Sequence, residues 1–211
     1  MTVKERRERE KLETREKILD AARELFLTEG YDGVSMRQVA ERIDYSPTAI
    51  YVHFADKDEL FRELVHADFA RLAGVFQDAA NLSDPVERIK RVGFAYIEFG
   101  RRYPNHYKLM FMTECPLTGL DEVDCELKGN PELDAYAFLK HSVQQAIDAG
   151  VFREELRDAE LLSQTLWAAV HGVISLNIAK HSDAWVAWRP LEQRAQLTLD
   201  AILRGLLKEK S

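Results

Sequence analysis

The sequence predicts an all-α fold, a three-helix head followed by a larger helical body. Apolar residues recur at the 3.6-residue spacing of helices buried on one face, and capping residues punctuate the chain at helix-like intervals. No segment shows the period-2 alternation of a half-buried strand, and no hairpin dipeptide joins two such segments.

The first helix is expected near Thr14. Ile18, Leu19, Ala22, Leu25 and Phe26 stack on one face before Gly30 takes the C-cap position. Ser35 and Gln38 have the spacing of a capping box, in which each side chain satisfies a backbone N–H left free at a helix start, and this second helix ends near Ile43. Ser46-Pro47 opens a third, since serine caps and proline at the first helical position loses only an N–H without a partner. Asp56 with Glu59 opens a long amphipathic helix through Leu60, Phe61, Leu64, Val65, Phe69, Leu72 and Phe76, broken at Asn81-Leu82-Ser83. Asp84-Pro85 with Glu87 begins another, running to about Tyr103 before Pro104. Residues 114–130, with Pro116, Gly119 and Gly129-Asn130, read as a loop. Helices over 131–149, 158–181 and 190–207 complete the chain, starting at Pro131, Asp158 and Pro190. The expected organisation is a charged arm over 1–13, a head over 14–57 and a body over 58–211.

The chain has 211 residues, 46% hydrophobic and 31% charged, which fits a globular protein and excludes disordered and collagen-like classes. No run approaches the roughly eighteen uninterrupted apolar residues of a spanning helix, and the N-terminus lacks the apolar stretch of a secretory signal. No membrane association and a cytoplasmic location are therefore the expectation. Cys115 and Cys125 make no disulfide framework, and with His106 and Glu114 they lack the spacing of a zinc site. Neither a metal nor a cofactor is expected. A formal net charge of −7 argues against a protein that coats nucleic acid through bulk positive charge, so any grip on DNA has to be local. Residues 1–17 carry seven basic against five acidic side chains, a weak local surplus of +2.

The segment from Ser35 to Lys57, SMRQVAERIDYSPTAIYVHFADK, holds two short capped helices joined by a tight turn and then a third helix start, the arrangement of a helix-turn-helix. The second helix of that motif lies in the major groove, about 12 Å wide, where residues at its N-terminal end reach base edges. Here those are Pro47, Thr48 and Tyr51, while Ile50 and Phe54, four apart, face Val39 and Ile43 of the preceding helix.

The string SPTAIYVHFADKDELF resembles the signature of the TetR/AcrR family of repressors. That resemblance implies a DNA-binding transcriptional regulator, a repressor that binds a pseudo-palindromic operator in double-stranded DNA as a homodimer and is released by a small-molecule effector. It implies Ser35 at the start of the reading unit, Arg37 as guanine reader, Thr48 near bases, Tyr51 and His53 toward phosphates and Lys57 at a phosphate. An arginine fork matches guanine O6/N7 and supplies about 1–3 kcal/mol of discrimination, whereas Lys57 is a mobile charge suited to phosphate, aided by the helix start beside it. Asp44 stands where the family often has a turn glycine, and aspartate tolerates left-handed backbone; Tyr45 replaces a smaller apolar residue.

In the body, WAAVHGVISL and RRYPNHYKLMF are similar to the C-terminal domain of a TetR subgroup named for a Trp-His-Gly pattern, matched by Trp167, His171 and Gly172. Gly172 is expected to let another helix approach closely. The resemblance places the dimer interface on the last two helices, near 158–181 and 190–207, where Leu162, Leu166, Val170, Val173, Leu199, Ile202 and Leu206 supply apolar surface. An apolar effector pocket is expected among Phe94, Ile97, Met110, Phe111, Phe138, His141, Trp167 and His171, with His141, Gln144 and Asn177 able to orient a partly apolar ligand. An alternative is a DNA-anchored interaction protein that has no small-molecule effector. An enzyme is not expected: there is no Gly-rich phosphate loop, no GxSxG and no HExxH.

Overall fold

A computed structural model of the protein describes residues 2–114 and 122–208. In chain order the helices are α1 (Val3–Gly33), α2 (Met36–Arg42), α3 (Pro47–Tyr51), α4 (Lys57–Gln77), α5 (Pro85–Arg102), α6 (Pro104–Phe111), α7 (Glu122–Leu127), α8 (Ala135–Asp148), α9 (Ala159–Lys180) and α10 (Leu191–Leu206). No strand occurs among the described residues; Phe152 and Leu207 form one isolated antiparallel bridge. The described residues divide into two compact units, 2–68 with 105–114 and 69–104 with 122–208, and α4 supplies residues to both.

The first unit departs from the expected order at its start. α1 begins at Val3, not near Thr14: Thr2 caps it, its hydroxyl accepting the Glu5 N–H while the Glu5 carboxylate accepts the Thr2 N–H at 2.7 Å. The added turns have no apolar periodicity and are held by local pairs, Arg6–Glu10 at 3.4 Å and Arg9–Glu13 at 3.3 Å. Thr14 is interior to the helix, with its hydroxyl donating to the Glu10 carbonyl. Gly30 breaks the helix as expected, with φ 71, but one more turn follows to Gly33. The core beneath α1 is Ile18, Ala22 and Phe26 against Val39, Ile50, Phe54 and Leu64.

A buried charge cluster ties three helices of this unit together. Asp68 on α4 is 1% exposed and accepts Nε and Nη2 of Arg23 on α1 at 3.1 and 2.7 Å. Nδ1 of His106 on α6 lies 2.8 Å from the same carboxylate, and Arg23 Nη1 reaches Asp20 at 2.6 Å. α6 itself carries no signal in the sequence reading; Pro104, which ends α5, also supplies its first helical residue.

In the second unit α5, α8, α9 and α10 pack on one another. Asp84, Asp134 and Asp158 cap α5, α8 and α9. The start of α8 is set by Asp134, with residues 131–133 in a turn, because the Asp134 carboxylate accepts the Tyr136 and Ala137 N–H groups. α7 lies in what the sequence reads as loop; Cys115, Pro116 and Gly119 of that stretch lie outside the described residues. Close helix approach occurs at Gly93, where a Cβ would meet Leu199 Cδ2 at 2.6 Å and Val170 Cγ1 at 3.4 Å. Gly172, expected in that role, has nothing within 4 Å of its Cβ position in this chain. Leu162, Leu166, Val170, Leu199 and Leu206, expected at a dimer interface, are buried in the chain's own core, where α9 packs against α5, α8 and α10 and α10 packs against α5. α9 is long and apolar enough to cross a membrane by length and composition, although polar residues interrupt its apolar run.

Asp68→Ala leaves the buried Arg23 with only the solvent-exposed Asp20 as counter-charge and is expected to cost about 3–5 kcal/mol in urea unfolding. Arg6→Ala, which breaks only an exposed pair, costs less than about 1 kcal/mol. Equal losses would show that the cluster does not hold the unit together.

Candidate nucleic-acid interface

The head builds its surface from capping chemistry. Ser35 and Gln38 form the expected box: Ser35 N–H to Gln38 Oε1 at 2.8 Å, and Gln38 N–H to Ser35 Oγ at 3.3 Å. Between α2 and α3 the chain turns on Asp44, whose φ of 58 is the left-handed region, and Tyr45 N–H returns to the Ala40 carbonyl at 2.9 Å. Ser46 then caps α3 by accepting the Ala49 N–H. This turn fixes which way α3 faces: Ile50 and Phe54 go into the core, while Pro47, Thr48 and Tyr51 stand in solvent, Tyr51 at 54% exposure.

Arg37 projects from α2 with a side chain 79% exposed, and its Nε donates to Glu41 one turn on at 2.8 Å. That pair is solvated and salt-screened, so it orients the guanidinium without sequestering it. Lys57 differs from its expected mobile state. Its ammonium donates to the Tyr31 carbonyl at 2.9 Å and sits 4.2 Å from the centroid of the Tyr31 ring, leaving two of its three donors for an outside partner. At the start of α4 the protein's own carboxylates take two N–H groups: Glu59 accepts from Ala55, and Asp56 accepts from Glu59.

His53, directly after α3, is half-buried, and its Nδ1 is buried without a hydrogen-bond partner among the described residues. Burial pushes the imidazole below its usual pKa of 6.5, and the nearby Lys11 and Arg15 charges push the same way. A neutral ring at pH 7 can offer phosphate a hydrogen bond but no charge. Arg15 stacks over the Phe54 ring at 5.2 Å and pairs with Glu63, a placement with no sequence signal because its partners lie 39 and 48 residues on.

The eight residues expected around an effector fall in both units. Met110 and Phe111 belong to the first, where Phe111 lies 5.0 Å from the Tyr107 ring. Phe94, Ile97, Phe138, His141, Trp167 and His171 belong to the second. Ile97 and Phe138 are buried, Phe94 is half-buried, and His141 is exposed, bonded to Gln145 on its own helix at 2.9 Å. The sequence reading missed Tyr96, the residue that joins two of them. Its buried hydroxyl accepts the Trp167 indole N–H at 2.9 Å and lies 3.1 Å from His171 Nδ1. Burial lowers the His171 pKa, so the neutral ring can accept a hydrogen bond from the Tyr96 hydroxyl. Among the described residues no three His, Cys, Asp or Glu side chains converge on a metal position, and Cys125 is an exposed free thiol.

Comparison with known proteins matches this geometry at both ends of the chain. The family described as bacterial regulatory proteins, tetR family, matches residues 18–64, and tetracyclin repressor-like, C-terminal domain, matches residues 89–202, more than half of the chain. The HTH-type transcriptional repressor AcnR of Corynebacterium diphtheriae is 43% identical over 61 residues, 29% of this chain and 32% of the relative. The match thus spans about a third of that relative's length. The HTH-type transcriptional regulator AcrR of Shigella flexneri is 26% identical over 168 residues, 77% of this chain and 75% of the relative. A TetR family transcription regulator from Marinobacter aquaeolei VT8 shares the fold, with a TM-score of 0.76 at 15% identity over 96% of this chain and 100% of that one. The chain belongs to the tetR family of bacterial regulatory proteins.

Proposed function

We propose that this protein is a transcriptional repressor that reads a pseudo-palindromic operator as a homodimer and leaves it when a partly apolar small molecule binds the body. The observation that carries the DNA reading is the division of faces in the head. The capped turn at Asp44 sends Ile50 and Phe54 inward and leaves Arg37, Pro47, Thr48 and Tyr51 on the outside. Ser35 sets the start of the helix that carries Arg37, and His53 and Lys57 follow α3 as phosphate donors, one neutral and one charged. AcnR and AcrR, to which the chain is similar, are named as a repressor and a regulator. DNA reading places the protein in the cytoplasm.

The homodimer reading rests on apolar surface that the chain does not cover itself. Leu161, Thr165, Ala168, Gly172 and Leu176 follow one face of α9, and Leu197 and Ala201 one face of α10. Leu161, Leu176 and Leu197 are exposed, and the small residues between them allow a second helix to come close. Water would otherwise bear this surface, and a two-fold partner removes it while setting two heads at adjacent major grooves. The effector reading rests on the Trp167–Tyr96–His171 hydrogen bonds, which join polar groups of α5 and α9. Trp167, His171 and Gly172 also keep the Trp-His-Gly pattern. An effector acts by preferring body states whose heads do not fit the operator, and its differential affinity sets how far DNA binding falls.

Titration against labelled DNA from upstream of the protein's own gene should give saturable binding that resists competitor DNA. Arg37→Ala and Tyr51→Ala should each weaken it at least tenfold, and wild-type affinity in both variants would remove the head from DNA reading. Sedimentation velocity should show a dimer for wild type and a monomer for Leu176→Arg. A dimer surviving that substitution would move the interface elsewhere.

A further inference from the structure

The helical start of α1 sorts its charges by face. Arg6 and Arg9 are neutralised one turn on by Glu10 and Glu13. Lys4, Arg7, Lys11 and Arg15 follow one another at spacings of three, four and four residues, which keeps them on a single face. No ion pair engages Lys4, Arg7 or Lys11 among the described residues, and all three are exposed. Glu8 is the one carboxylate at the margin of this stripe. Further along the helix the same face becomes Ile18 and Ala22, buried against the helix-turn-helix core. The stripe therefore runs on from the side of α1 that packs against α2 and α3. Its C-terminal end is fixed in space: the Arg15 guanidinium lies over Phe54, three residues beyond the end of α3. Lys11 and Arg15 are also close enough to act on the His53 ring.

We infer that Lys4, Arg7 and Lys11 bind the sugar-phosphate backbone of DNA outside the segment read by α2 and α3, as a straight cationic rail beside the recognition helix. The inference rests on the operator reading above. At 1.5 Å per residue the rail from Lys4 to Arg15 is about 16 Å long. A DNA strand presents a phosphate every 3.4 Å or so of axial rise, so this length faces several of them. Lysine and arginine on a helix reach a backbone without base-specific geometry, so the rail adds affinity and a larger footprint but no sequence preference. It also supplies cations to a chain whose formal net charge is −7. The paired arginines on the far side hold the helix and remain outside the contact.

Salt dependence of operator affinity tests this. Each phosphate contact adds about 0.9 to the slope of log K against log salt, so Lys4→Ala/Arg7→Ala/Lys11→Ala should make the slope shallower by roughly 2–3 per protomer bound. Ranking among operator variants should stay unchanged, and circular dichroism should show α1 intact. Arg6→Ala/Arg9→Ala/Lys17→Ala removes the same charge from other faces and should leave the slope within about one unit of wild type. An unchanged slope in the first variant, or equal loss in both, overturns the rail while Arg37→Ala and Tyr51→Ala still mark the head as the reader. Wild-type protein that binds DNA without saturation would instead overturn the operator reading and the rail with it.

Discussion

The first unit is organised around a carboxylate that water does not reach. Asp68 has to be matched inside the protein, and the match comes from α1 through Arg23 and from α6 through His106. Because a guanidinium donates two parallel bonds to a carboxylate in a fixed fork geometry, the pair sets register as well as distance between α1 and α4. Every contact of the head inherits that placement. Phe26, Phe61 and Tyr31 meet with ring centroids 5.1–5.8 Å apart, and Tyr31 in turn supplies the carbonyl and the ring that hold Lys57. An apolar isostere could fill the same volume without a desolvation penalty, but it would not tell α1 where along α4 to stop.

Elements whose ends are written locally were legible in the sequence. Ser35 with Gln38, Ser46-Pro47, Asp84-Pro85 and Asp158 each fix a helix start within four residues, and each stands where the spacing puts it. The left-handed turn at Asp44 was readable for the same reason. The reading failed where helix formation has another source. Residues 3–13 are helical through side-chain pairs and a cap at Thr2, neither of which leaves an apolar period. α6 hides behind a proline that serves as terminator and first residue at once.

The site divides along the same line. Which side chains of α3 face outward follows from periodicity, so Pro47, Thr48 and Tyr51 could be named. The state of Lys57 could not be, because its holder Tyr31 is 26 residues away, and neither could the link from Tyr96 to Trp167, 71 residues apart. The apolar residues of α9 and α10 show the limit of pattern without partners. Spacing marks both faces of α9 as apolar, and only the packing of α5, α8 and α10 decides that Leu162, Leu166 and Val170 turn inward while Leu161 and Leu176 do not.

The hydrogen bond between Trp167 and Tyr96 also makes the body optically legible. An indole whose N–H is held by a buried hydroxyl emits from a different environment than one in water, and Trp185, 96% exposed, and Trp188, stacked beside Arg194, are its internal references. Any molecule that takes the Tyr96 hydroxyl for itself changes the first emission and not the other two. The protein thus carries an intrinsic spectroscopic probe in its body, readable without a label and without DNA.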